Sequence, residues 1–139
     1  MRPAIAVDTN VLVSFLTDRS KKQQAAASDL FERAQRRECE LVVHQATLIE
    51  LVYVLTNLYQ TDVSEVRDIL LELIDLPFIE VASELSWPQL LGLWPEPHAD
   101  FADAVLATVV SSGLADRIAS FDRRFTRRLE KRGMEVEPL

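Results

Sequence analysis

One cysteine, Cys39, stands in 139 residues. That excludes an internal disulfide and a thiolate metal site built within one chain, and leaves Cys39 as a packing residue. Glycine is scarce, three in all, and no Gly-rich turn follows the first apolar run, which excludes a dinucleotide-binding turn. No apolar run is long enough to span a bilayer, and the first residues lack the basic, apolar, small-residue order of a secretory signal. A soluble cytoplasmic protein with no membrane partner is the expectation. No linker, repeat or low-complexity stretch divides the sequence, so residues 1–139 are read as one domain, long enough to bury a proper core.

Positive charge is also in deficit. The net charge of −7 argues by itself against a nucleic-acid binder, because affinity for phosphates comes mostly from Lys and Arg. The charge is unevenly placed, however. Arg123, Arg124, Arg127, Arg128, Lys131 and Arg132 crowd into one late segment. A concentrated acidic pocket is negative until metal ions neutralise it, so net charge alone does not decide the partner.

What is present is a recurring alternation of short apolar runs and helical patterns. Ala4-Ile5-Ala6-Val7 reads as a buried strand that ends in Asp8-Thr9-Asn10 and opens a helix from Val11 to Thr17. A second helix through about Arg37 carries Ala27, Leu30, Phe31 and Ala34 on one face. Leu41 to Val43 is the second strand, followed by a helix from about Thr47 that holds Glu50 in its first turn or two. Ser64 opens a helix to Ile74, ahead of Pro77. Phe78 to Val81 is the third strand, and Ser83 to His98 a short helix with an irregular loop. Asp100 to Val110 is a helix closing near Gly113. Arg117 to Phe121 is a strand followed at once by Asp122 and the basic helix, and Met134 to Val136 adds a short edge strand. Strands separated by such helices predict an α/β fold of three layers, α/β/α, around a mainly parallel sheet of four to five strands.

An acid recurs wherever a strand ends or a helix begins: Asp8, Glu50, Asp103 with Asp100 beside it, and Asp122. Each alone is explained by helix capping or by the helix dipole. In a parallel sheet all emerge on one edge, and carboxylates brought together repel unless protonated or metal-bound. Oxygen donors without a His or Cys cluster suit Mg²⁺ or Mn²⁺ rather than zinc, and one or two such ions hydrolyse phosphodiesters. A phosphoaspartate enzyme needs a second Asp two residues after the first, where this chain has Asn10, and a receiver domain needs an acidic pair and a late strand-end Lys that are missing.

Val7-Asp8-Thr9-Asn10-Val11-Leu12, Glu50 in Thr-Leu-Ile-Glu-Leu, Asp100-Phe101-Ala102-Asp103-Ala104 and Ser120-Phe121-Asp122-Arg123-Arg124-Phe125 occur in an order that resembles a PIN domain. More narrowly, the chain resembles the VapC-type ribonuclease toxins of prokaryotic toxin–antitoxin pairs. The resemblance implies a Mg²⁺- or Mn²⁺-dependent endoribonuclease in which Asp8, Glu50, Asp103 and Asp122 hold the metal, Asp100 is auxiliary or a helix cap, and Thr9, Asn10 and Ser120 orient carboxylates or water. It further implies a homodimer, an RNA substrate and a cognate antitoxin protein. Arg123, Arg124, Arg127 and Arg128 are the candidate phosphate contacts. Trp87, Trp94 and Phe101 are expected in the core or a dimer interface rather than stacked on bases, and His44 and His98 are expected to be structural. The alternative reading is a non-catalytic module of the same fold that binds RNA or protein.

Overall fold

A computed structural model describes residues 2–139. Its strands are β1 (Ala4–Val7), β2 (Glu40–His44), β3 (Ile79–Ala82), β4 (Arg117–Ala119) and β5 (Glu135–Val136), all parallel and ordered β3-β2-β1-β4-β5. Its helices are α1 (Thr9–Leu16), α2 (Lys21–Gln35), α3 (Gln45–Tyr53), α4 (Val63–Ile74), α5 (Trp87–Leu93), α6 (Phe101–Ser111) and α7 (Arg123–Lys131), with a π-helical turn at Val54–Leu58 continuing α3.

The period of two along β1 sends Ile5 and Val7 to one face of the sheet and Ala6 to the other. Ile5 and Val7 pack with Val11 and Leu12 of α1, Leu30 and Phe31 of α2 and Leu51 of α3. Ala6 packs with Leu106 and Val109 of α6 and with Phe125 and Leu129 of α7. Both faces are therefore covered, as the apolar runs without polar alternation predict. The four α2 positions Ala27, Leu30, Phe31 and Ala34 are all buried. Truncating Leu30 to Ala would cost about 2–5 kcal/mol.

The chain builds outward from β1 through β2 to β3, then crosses back to lay β4 against the free side of β1. The order reverses between β1 and β4, and in open α/β sheets the crevice at such a reversal, beyond the C-terminal strand ends, is where ligands bind. Val7 is in register with Ala119, so Asp8 and Ser120 leave the sheet side by side.

Three local details differ from the sequence reading. Helix α2 stops at Gln35 because Arg37 takes a left-handed φ of 63°, a helix-terminating conformation. Helix α4 starts one residue before Ser64, and the Ser64 hydroxyl donates to the Asp62 carboxylate instead of capping the helix. Strand β4 ends at Ala119, which leaves Ser120 and Phe121 in the turn that leads to α7.

Candidate active site

Asp8 follows directly on the last residue of β1 and caps α1, accepting from the Thr9 amide at 2.8 Å through Oδ1. Its Oδ2 accepts from Ser120 Oγ at 2.6 Å and from Asn10 Nδ2 at 3.3 Å. The Ser120 hydroxyl is used fully: it donates to Asp8 and accepts from Asn10 Nδ2 and from the Asp122 amide, each at 3.1 Å. Asn10 Oδ1 in turn accepts from the Phe121 amide at 3.0 Å, which fixes the orientation of its side-chain amide. Three polar side chains, those of Asp8, Asn10 and Ser120, thus tie the tip of β1 to the tip of β4 across more than a hundred positions of sequence.

The other acids arrive on separate elements. Glu50 lies in the second turn of α3, whose start is capped by His44: Nδ1 accepts from the Ala46 amide, so Nε2 donates to the Glu84 carbonyl. Asp100 caps α6 by accepting from the Asp103 amide at 3.0 Å, and Asp103 stands in the first turn of the same helix. Asp122 caps α7 through Oδ1, which accepts from the amides of Arg124 and Phe125. Capping and convergence are both true: Asp8, Asp100 and Asp122 are helix caps, and all three line, with Glu50 and Asp103, one cavity of about 290 Å³. The capping bonds of Asp100 and Asp122 each engage one carboxylate oxygen, Oδ1.

Their electrostatics show that they share a field. Asp8 is pushed up chiefly by burial, with Asp122 and Asp100 adding, against the Ser120 and Thr9 hydrogen bonds that favour its charge. Burial raises Glu50 first, then the charges of Asp8 and Asp100, while hydrogen bonding from Thr9 opposes the rise. Asp103 is pushed up to about 7 by burial, Asp100, Asp8 and Asp122, in that order. The one cation acting against this is Arg128, whose Nη2 lies 3.2 Å from Asp103 Oδ2. Among the described residues no three His, Cys, Asp or Glu side chains already stand as a closed ligand set. Carboxylates gathered without a cation repel one another, and among the described residues Arg128 is the cation whose charge lowers the Asp103 pKa.

The family model of the PIN domain matches residues 4–124. The chain belongs to the PIN domain family. No curated protein matches the sequence. Among solved structures, the fold is similar to the crystal structure of Mycobacterium tuberculosis VapC20, described as a Sarcin-Ricin loop cleaving toxin, at a TM-score of 0.68 and 18% identity, covering 96% of this chain and 99% of that one.

Within this PIN domain the predicted residues fall into groups. Asp8, Thr9, Asn10, Glu50, Asp100, Asp103 and Asp122 line the acidic cavity, and Ser120 stands just behind Asp8. Arg123, Arg124 and Arg127 are exposed on α7, whereas Arg128 is half-buried against Asp103. His44 and His98 are buried, and His98 packs edge-on against Phe125. The aromatic trio corrects the expectation of burial in the core: Trp87 is 54% and Phe101 40% exposed, and both tryptophans lean on Phe101 beside the start of α6. On α5, Trp87 faces outward because Leu90 takes the position that points to the core.

Two polar residues at the cavity escaped the sequence reading. Arg19 lines it from the break between α1 and α2, donating to Ser14 Oγ and Gln23 Oε1. Tyr59 lines it from the end of the π-helical turn. The polar break at Asp18-Arg19-Ser20 was visible, but its reach toward the strand tips depends on how α1 packs.

Proposed function

We propose that this protein is a Mg²⁺- or Mn²⁺-dependent endoribonuclease, built as a single PIN domain over residues 1–139, and the toxin of a type II toxin–antitoxin pair. The observation that carries the reading is the convergence of Asp8, Glu50, Asp100, Asp103 and Asp122, from four separate segments of the chain, on one cavity at the reversal point of the sheet. The similarity of fold to an RNA-cleaving toxin is consistent with it.

The donor set fits a hard divalent cation: it is all oxygen, and three of its acids are raised by burial and by one another. In this reading Asp8, Glu50, Asp103 and Asp122 would hold the metal, with Asp100 auxiliary to them. Bound there, the cation supplies the Lewis acidity that activates water and neutralises charge building on the phosphodiester. The residues of the chain supply the rest. Ser120, Asn10 and Thr9 hold the Asp8 carboxylate in one orientation. The caps on α6 and α7 fix Asp100 and Asp122 at helix N-termini, where anionic groups are favoured. Net hydrolysis adds water across one P–O bond, with the leaving oxygen taking the proton.

Exposed Ile49, Tyr53, Leu58 and Val63 form apolar surface from α3 to α4, and Leu58 also lines the acidic cavity. Such surface supports protein partners, which in this reading are a second copy of the chain and a cognate antitoxin.

The test is cleavage of total RNA by purified, antitoxin-free protein with Mg²⁺, with EDTA, and with Asp8→Asn. Cleavage that requires both the metal and Asp8 is expected. Cleavage that survives EDTA or Asp8→Asn overturns the mechanism, and tight RNA binding without cleavage under any metal establishes a binding module instead.

A further inference from the structure

Helix α7 carries its cations on two sides. Arg123 and Arg127 share a concavity with Glu130 and Glu137, and Glu137 is itself bound to Arg33 and Arg117, so charge there is mixed. Arg128, Lys131 and Arg132 recur at three- and four-residue spacing and therefore project together. With Pro97 they line an open concavity of about 560 Å³, and no acid is among its described lining residues.

Two further observations mark that concavity as an anion site beside the carboxylates. Of its three cations, Arg128 alone is ion-paired among the described residues, through a single contact to Asp103. That contact leaves Arg128 Nε buried without an acceptor, so the guanidinium is under-satisfied where it stands.

We propose that Arg128, Lys131 and Arg132 form a subsite for a backbone phosphate of single-stranded RNA, next to the phosphodiester presented to the acidic cavity. Two guanidiniums and an ammonium, of which only Arg128 already faces a carboxylate among the described residues, suit a tetrahedral oxyanion. Arg128, which reaches Asp103 from the same wall, sets the anion immediately beside the acids. The subsite rests on the ribonuclease reading for its substrate, and on its own geometry for its location.

Fluorescence anisotropy with a labelled mixed-sequence single-stranded RNA, in EDTA so that nothing is cut, tests it. Two double variants each remove two positive charges: Lys131→Gln/Arg132→Gln at the subsite and Arg36→Gln/Arg67→Gln at the end of α2 and on α4, outside both concavities. All four residues are exposed, and matching circular dichroism spectra verify folding. The first variant is expected to weaken binding about tenfold and to flatten the logarithmic salt dependence by about 0.7, the share of one phosphate contact on a single strand. The second is expected to change affinity less than about twofold. Equal losses in the two variants, or wild-type binding by the first, overturn the subsite. So does displacement of the RNA by polyglutamate as readily as by unlabelled RNA. Cleavage by the wild-type protein with Mg²⁺ is scored separately. A split in binding without cleavage keeps the subsite and removes the nuclease reading, and cleavage without a split removes the subsite alone.

Discussion

Arg128 and Asp103, 25 positions apart, form an ion pair with Nη2 3.2 Å from Oδ2, and the charge of Arg128 acts against the raised Asp103 pKa. An opposite charge at that range favours the ionised carboxylate. Replacing Arg128 with Gln should therefore move the Asp103 midpoint in metal-free protein above its value of about 7. Titration of the side-chain carboxyl carbon by NMR reads it directly. A midpoint that stays put or falls would mean that the pair does not govern Asp103.

Folding raises the Asp103 pKa, so between about pH 4 and pH 7 the folded chain holds a proton that the unfolded chain has released. The contribution of Asp103 to stability is accordingly most favourable below about pH 4 and is lost as pH rises toward 7. A shift of that size corresponds to about 4 kcal/mol at most. In EDTA, urea unfolding should show Asp103→Asn gaining stability on wild type as pH climbs through this window. Parallel pH profiles for the two proteins would contradict the assignment.

Ser120 Oγ holds Asp8 at 2.6 Å and also accepts from Asn10 and the Asp122 amide. Ser120→Ala should raise the Asp8 pKa further, because the hydroxyl favours the charged carboxylate. Loss of a partner that orients a metal ligand typically lowers metal affinity about 10–100-fold, which a Mn²⁺ titration would report. Wild-type affinity in this variant would show the Ser120 bond to be incidental.

The strand-tip acids were legible because an apolar run that stops at a carboxylate has few local solutions. Asp8, Asp100 and Asp122 sit at the predicted breaks, and helix α2 buries the four residues its spacing selects. Periodicity does not say what lies across from a face. The pairing of Arg128 with Asp103 joins two helices that lie on the same face of the sheet, a neighbourhood set by the strand order rather than by local spacing, and the exposure of Trp87 follows from Leu90 taking the inward position on α5. Ser64 misled for a local reason: Asp62 two residues earlier competes for its hydroxyl.

The central claim is that acids from distant segments act as one divalent-cation site. Calorimetric titration of Mn²⁺ into wild type, Asp8→Asn, Glu50→Gln, Asp103→Asn and Asp122→Asn tests it without any substrate. The account predicts that every single variant weakens the same binding event, each by about tenfold or more. Variants that all bind as the wild type does, or a loss confined to one of them, would contradict it.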